Sequence, residues 1–166
     1  NAMPRVLSCI PETQLLIIGD GPLRQQLEAV ADRLHIRPAV AFLGRKTPTE
    51  MPALYQSAHL AVLPFRIAAD GDQEGLGLVA VEAMGCGLPV IVGDVPAIHD
   101  VVTHAENGWI VPSGNPDALA DAIIGLLQKY ELAARIGAAA RRHVLEAFDW
   151  SVSAEKYRKI LQRLSR

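Results

Sequence analysis

Short apolar runs that stop at a glycine or proline, each followed by apolar residues at helical spacing, recur along this chain. At 14–19 the run QLLIIG ends in glycine and Gly19-Asp20-Gly21-Pro22 turns the chain. Leu23, Leu27, Val30 and Leu34 then share a helical face opposite Arg24, Gln25, Glu28 and Asp32. An uninterrupted apolar run is how a strand buried on both faces reads, and such strands belong to parallel sheets covered by helices. The order repeats. A second short strand is expected at 39–43, and Thr47, Pro48 and Glu50 supply an N-cap, a first-turn proline and a capping-box glutamate for a helix running to about Gln56. Strands at 60–63, 88–92 and 109–111 alternate with an almost wholly apolar, hence buried, helix at 77–85 and a helix behind Asn115-Pro116. Two further helices are expected at 131–147 and 151–164, and RVLSCI near the start reads as a helix closed by Pro11. Repeated strand-then-helix order predicts an α/β domain with a parallel sheet and helices on both faces.

A length of 166 residues suits about one domain. Hydrophobic residues make up 50% and aromatics only 5%, so the interior must be built from Ala, Val, Leu and Ile. A net charge of −2 argues against nucleic acid as a partner recruited by bulk charge. The basic residues concentrate from Leu132 onward, where they are expected to form the solvated face of two amphipathic helices rather than a membrane-docking patch. Cys9 and Cys86 make neither a disulfide framework nor a zinc site. No apolar run approaches the length of a spanning helix and the start lacks a signal-peptide pattern, so a soluble cytoplasmic protein is expected. Asn1-Ala2 ahead of Met3 has the look of a cloning remnant.

Chemistry in such folds gathers outside the carboxyl ends of the strands, where loops run into helix N-termini. Two segments have that form. Gly19 and Gly21 could face a phosphate, although a tight strand-to-helix turn explains them as well. Gly75 and Gly77 at the start of the 77–85 helix let backbone amides approach an anion, which the helix dipole favours. Glu74 stands at that mouth and Glu82 lies eight residues on, so the two carboxylates could accept from hydroxyls at opposite ends of one nucleotide-sugar. The structural alternatives are a dipole partner for Glu74 and a capping acid for Glu82. His99, Asp100 and His104 read as a helix end and loop rather than metal ligands.

The segment EGLGLVAVEAMGCGLPVIV, with Glu74 and Glu82 in a Glu-x7-Glu arrangement, resembles the donor-binding half of retaining glycosyltransferases of the GT-B fold, family 4 above all. The likeness extends through IIGDGP, FLGR, LYQSAHLAVLP, ENGWIVPSGNPDALADAI and FDWSVSAEKY, and so covers nearly the whole chain. It implies a Rossmann-like sheet over residues 3–147, a C-terminal helix over 148–166, and a hexosyltransferase of polysaccharide biosynthesis. That enzyme would pass a sugar from a nucleotide diphosphate to a saccharide or lipid-linked acceptor with retained configuration. By the same resemblance Glu74 would be the catalytic contact to the transferred sugar. Amides of Gly75, Leu76, Gly77 and Leu78 would face sugar and diphosphate, and Glu82 would hold the ribose. Gly19 and Gly21 would line the donor site, and Arg45 and Lys46 would seat the base chiefly through backbone groups. No metal and no cofactor beyond the nucleotide-sugar is implied.

Several positions depart from that pattern. Leu76 replaces a more usual Phe, and His59 stands where Asp is common. The family's opening strand, with its Gly-Arg and following Lys, has no counterpart here, and Arg5 matches neither basic residue. In the family that strand sits mid-sheet. Its neighbours are therefore expected to close on each other, or to be completed by strand exchange in a homodimer. The family's N-terminal acceptor-binding domain, a partner the resemblance implies, is also missing from this sequence, so this chain alone is not expected to turn over substrate. In a full-length protein, contact with the inner face of a membrane would be peripheral. A nucleotide-sugar epimerase of the same fold and a non-catalytic nucleotide-binding module are the alternatives.

Overall fold

The structure is a computed structural model that describes residues 1–68, 71 and 75–164, the side chain of Lys156 excepted. The described elements run α1 (Met3–Cys9), β1 (Leu15–Ile18), α2 (Arg24–Arg33), β2 (Val40–Gly44), α3 (Met51–Ser57), β3 (Ala61–Leu63), α4 (Leu78–Gly85), β4 (Val90–Gly93), β5 (Trp109–Val111), α5 (Pro116–Gln128), α6 (Tyr130–Ala147) and α7 (Trp150–Leu164). Short 3-10 turns at Arg37–Ala39 and Pro96–Asp100 complete them; the first takes in Ala39, expected as strand, and the second holds His99 and Asp100, expected at a helix end.

All observed strand pairing is parallel, as the strand–helix alternation requires. The strands form two sheets, however. β1 pairs with β2, with a register irregularity between Ile17 and Ile18, and β3, β4 and β5 pair in that order. β1 and β3 do not pair with each other, so the expected closing of the sheet does not occur among the described residues. Shared packing holds the two sheets together instead. Leu15 and Ile17 of β1, Leu60 and Val62 at β3, Met3 and Val6 of α1, and Ile123 and Leu126 of α5 all meet in one core cluster. Arg5 of α1 pairs with Asp121 of α5 on the surface of that layer.

β4 explains the value of an unbroken apolar run. Its four residues are all buried, Ile91 facing the α1–α5 layer and Val90 and Val92 facing a second core with Ala80, Ala83 and Met84 of α4. Each such side chain contributes about 1.5–3 kcal/mol on burial. β1 differs from expectation: Leu15 and Ile17 pack into the core, whereas Leu16, on the opposite face of the strand, is 39% exposed. Helix α4 also departs from the all-round burial expected of it. It buries Ala80, Ala83 and Met84 but turns Leu78, Val79 and Glu82 outward. α7 leaves Trp150, Tyr157, Leu161 and Leu164 exposed. Among the described residues no helix is long and apolar enough to cross a membrane.

Candidate functional site

Within each parallel sheet the strand ends deliver their loops to one edge. After β1, Gly19 adopts φ +119° and donates its amide to the Gly44 carbonyl at 2.8 Å, so the turns after β1 and β2 are joined. Gly21 donates its amide to Asp20 at 2.9 Å, which closes the turn locally. Gly44 is left-handed at φ +66° and ends β2 beside the Arg24 guanidinium, which is paired with Glu28 at 3.2 Å. Arg45 then points into solvent, while Lys46 Nζ lies 3.6 Å from Glu50 Oε1. Glu50 also accepts from the Thr47 amide at 2.8 Å and hydroxyl at 2.7 Å. This is the reciprocal half of the anticipated capping box, formed one turn ahead of α3. These hydrogen bonds from Thr47, and then Lys46, hold the Glu50 carboxyl below its usual range.

On the second sheet, Gly77 opens α4 in the left-handed region at φ +72°. A side chain there would approach Ile98 and Phe65, at 3.1 and 3.6 Å. Phe65 anchors the entry of the long loop after β3. Its carbonyl accepts from Ser113 Oγ beyond β5 at 3.0 Å, and its backbone lies over Gly93 so closely that a Cβ there would fall well inside 3.0 Å. The start of α4 is thus pinned at the carboxyl ends of β3, β4 and β5. First-turn amides of a helix point outward along its axis and suit an anion. Gly75, Leu76 and Leu78 are exposed beside them.

Glu82 follows Leu78 by one helical turn and shares its open face, where Leu78 is 62% exposed. Its Oε2 accepts a hydrogen bond from the Tyr55 hydroxyl at 3.2 Å. Tyr55, on α3, is only 7% exposed. Burial, and then the Glu82 carboxylate, push its phenol up to about 12. This bond ties α3, which follows the Arg45–Lys46 turn, to α4, which follows the Gly75–Gly77 turn. Glu74 lies outside the described residues, so its relation to Glu82 stands on the sequence pattern alone.

The sequence reading missed Tyr55, Phe65 and Ser113. Tyr55 sits at an apolar helical position and reads there as core; no local signal announces a partner 27 residues later. Of the discounted histidines, His99 meets Asp94 at 2.7 Å beyond β4, and His104 Nδ1 accepts from the Ile110 amide at 3.1 Å. Among the described residues no three His, Cys, Asp or Glu side chains gather as a metal site would need. The larger of two described hollows, about 210 Å³, is lined by Trp109, Asp121, Leu126 and Leu132 and opens at the amino end of β5, away from these loops.

The chain is similar to known proteins over nearly its whole length. A GDP-mannose-dependent monoacylated alpha-(1-6)-phosphatidylinositol monomannoside mannosyltransferase from Corynebacterium glutamicum is 36% identical over 98% of the chain and 42% of its own length. The amylovoran biosynthesis glycosyltransferase AmsK of Erwinia amylovora is 34% identical over 90% of the chain and 37% of its own length. The chain therefore spans about two fifths of the curated relatives it matches. Among solved structures, sucrose-phosphate synthase from Thermosynechococcus elongatus superimposes with a TM-score of 0.83 at 29% identity, over 98% of this chain and 41% of that one. Anabaena HepE, solved with UDP and glucose, shares the fold with a TM-score of 0.78 at 22% identity, over 96% of this chain and 44% of that one. The family model for glycosyl transferases group 1 matches residues 1–143, and the chain belongs to that family.

Proposed function

We propose that this chain is the nucleotide-sugar-binding half of a retaining hexosyltransferase. The observation that carries the reading is the Glu82 carboxylate, set on the open face of α4 one turn from its N-terminus and held by Tyr55. An acceptor of hydroxyls there, beside amides suited to a diphosphate, matches the two ends of a nucleotide-sugar. In this reading Glu82 takes the ribose hydroxyls and the amides from Gly75 to Leu78 take the diphosphate. The turns at Gly19, Gly21, Arg45 and Lys46 border the base, and Glu74 meets the transferred sugar. As the glycosidic bond to the diphosphate breaks, negative charge grows on the leaving group, and the α4 N-terminus would stabilise it electrostatically without a metal.

The relatives named as GDP-mannose-dependent make GDP the first nucleotide to test and mannose the first sugar. The phosphatidylinositol monomannoside in those relatives' names favours a lipid-linked acceptor, met at a membrane surface. Acceptor binding would come from polypeptide corresponding to the remaining three fifths of those relatives.

Calorimetric titration with GDP, UDP, ADP and GDP-mannose tests the reading. One nucleotide should bind, and Glu82→Ala should weaken it about 10-fold or more, the loss expected for hydrogen bonds to a charged acceptor. Equal binding by wild type and Glu82→Ala would remove Glu82 from the site, and no binding of any nucleotide would refute donor binding by this chain.

A further inference from the structure

Glu82 is an exposed side chain on a helix, and such a carboxylate ordinarily samples several rotamers. Here one oxygen is fixed by a phenol whose ring is planted in the core with Ala80, Ala83, Met84 and Leu88, so its anchor does not move with the surface. A tyrosine hydroxyl donates one proton and a carboxylate offers about four acceptor positions. The bond from Tyr55 therefore orients Glu82 and leaves its other oxygen, with further lone pairs, for a second partner. A tyrosine buried only for its ring would be served equally well by phenylalanine, without the cost of bringing a hydroxyl out of water.

We propose that Tyr55 is a positioning residue for ribose recognition: by fixing the Glu82 carboxylate it makes this chain discriminate ribonucleotides from 2′-deoxynucleotides. The inference rests on the donor-binding reading above. It goes further in assigning specificity to a residue that would touch no ligand. A site built around a hydroxyl rejects the analogue lacking it, because its own polar group is then left unpaired. Preorganising that group sharpens the rejection, since no rotamer freedom is lost on binding.

The experiment is calorimetric titration of the chain with GDP, UDP and their 2′-deoxy counterparts, on wild type, Tyr55→Phe and Glu82→Gln, with a thermal melt of each variant. Tyr55→Phe keeps the ring and its packing. Wild type should prefer the ribonucleotide about 10-fold. Tyr55→Phe should reduce that preference about 3- to 10-fold, because the ribonucleotide, which offers Glu82 two hydroxyls, loses more binding than the deoxynucleotide, which offers only the 3′-hydroxyl. A merely structural role would weaken both ligands alike and preserve the ratio, and that result overturns the proposal. If Glu82→Gln abolishes discrimination while Tyr55→Phe leaves it intact, the role of Tyr55 falls and the donor site stands. If wild type does not discriminate, or Glu82→Gln discriminates as wild type does, the placing of ribose at Glu82 falls and the proposal falls with it.

Discussion

Replacing Gly137 with alanine sets two effects of known size against each other. Gly137 lies inside α6, where glycine costs about 0.5–1 kcal/mol relative to alanine, so propensity alone makes the substitution stabilising. The tertiary structure opposes it. A Cβ at 137 would lie well inside 3.0 Å of the Gly87 carbonyl oxygen and 3.2 Å from Pro89 Cδ. Both are parts of the backbone-rigid turn between α4 and β4, in which Gly87 is left-handed at φ +79°. Overpacking of that kind costs about 1–3 kcal/mol. The balance is a destabilisation of up to about 2.5 kcal/mol, or a fall in Tm of up to about 10 °C for a chain of this size. Gly125 in α5 provides the control, because nothing lies within 4 Å of its Cβ position. Gly125→Ala should raise Tm by about 1–4 °C. Differential scanning calorimetry of wild type and the two variants, under one buffer and scan rate, reads both signs. A rise for Gly137→Ala comparable to that for Gly125→Ala would refute the close approach of α6 to the 85–89 turn, and with it the support that fixes α4 and Glu82.

Two further outcomes follow from single groups. Asn115 Oδ1 accepts from the amides of Asp117 and Ala118 at 3.1 and 3.0 Å, so Asn115→Ala should cost about 1 kcal/mol and Asn115→Asp should retain most of the stability, as read by urea melts. Tyr55 keeps its proton to about pH 12 in the folded chain, whereas an unfolded tyrosine loses it near 10. Between those values the folded state binds more protons, so stability falls as pH rises through the window and is untouched below it. Tyr55→Phe should therefore flatten the decline between pH 10 and 12 in denaturant melts, with no change of slope at pH 7–9.

Much of the fold was legible because it depends on neighbours in the chain. Asn115-Pro116 signals an N-cap and first-turn proline, and the side chain caps α5 as expected. VIVG announces a strand covered on both faces, and β4 is one. Burial was harder to read than element type, because it is a property of neighbours that sequence spacing does not name. The QLLIIG run reads like the run at β4, yet β1 is only half covered, since one face packs on the core and the other carries the exposed Leu16. The apolar helix at 77–85 was expected to be enclosed, but its first turn faces outward where the candidate site lies. The site shows the same division. Glu82 and the glycine turns stand out by type and spacing, whereas Tyr55 and Phe65 look like ordinary core residues.

By itself, then, the sequence determined the kinds and order of the elements, the parallel α/β class and the pattern of glycines and carboxylates that marks its family. Those features are local, set by backbone freedom, capping and periodicity within a few residues. Only the tertiary structure decided that the strands divide into two sheets sharing one core, that Gly93 must admit the Phe65 backbone, and that a buried phenol on α3 grips the carboxylate on α4. Each of these joins residues distant in sequence through packing or a single hydrogen bond, and no local pattern encodes which distant group will arrive.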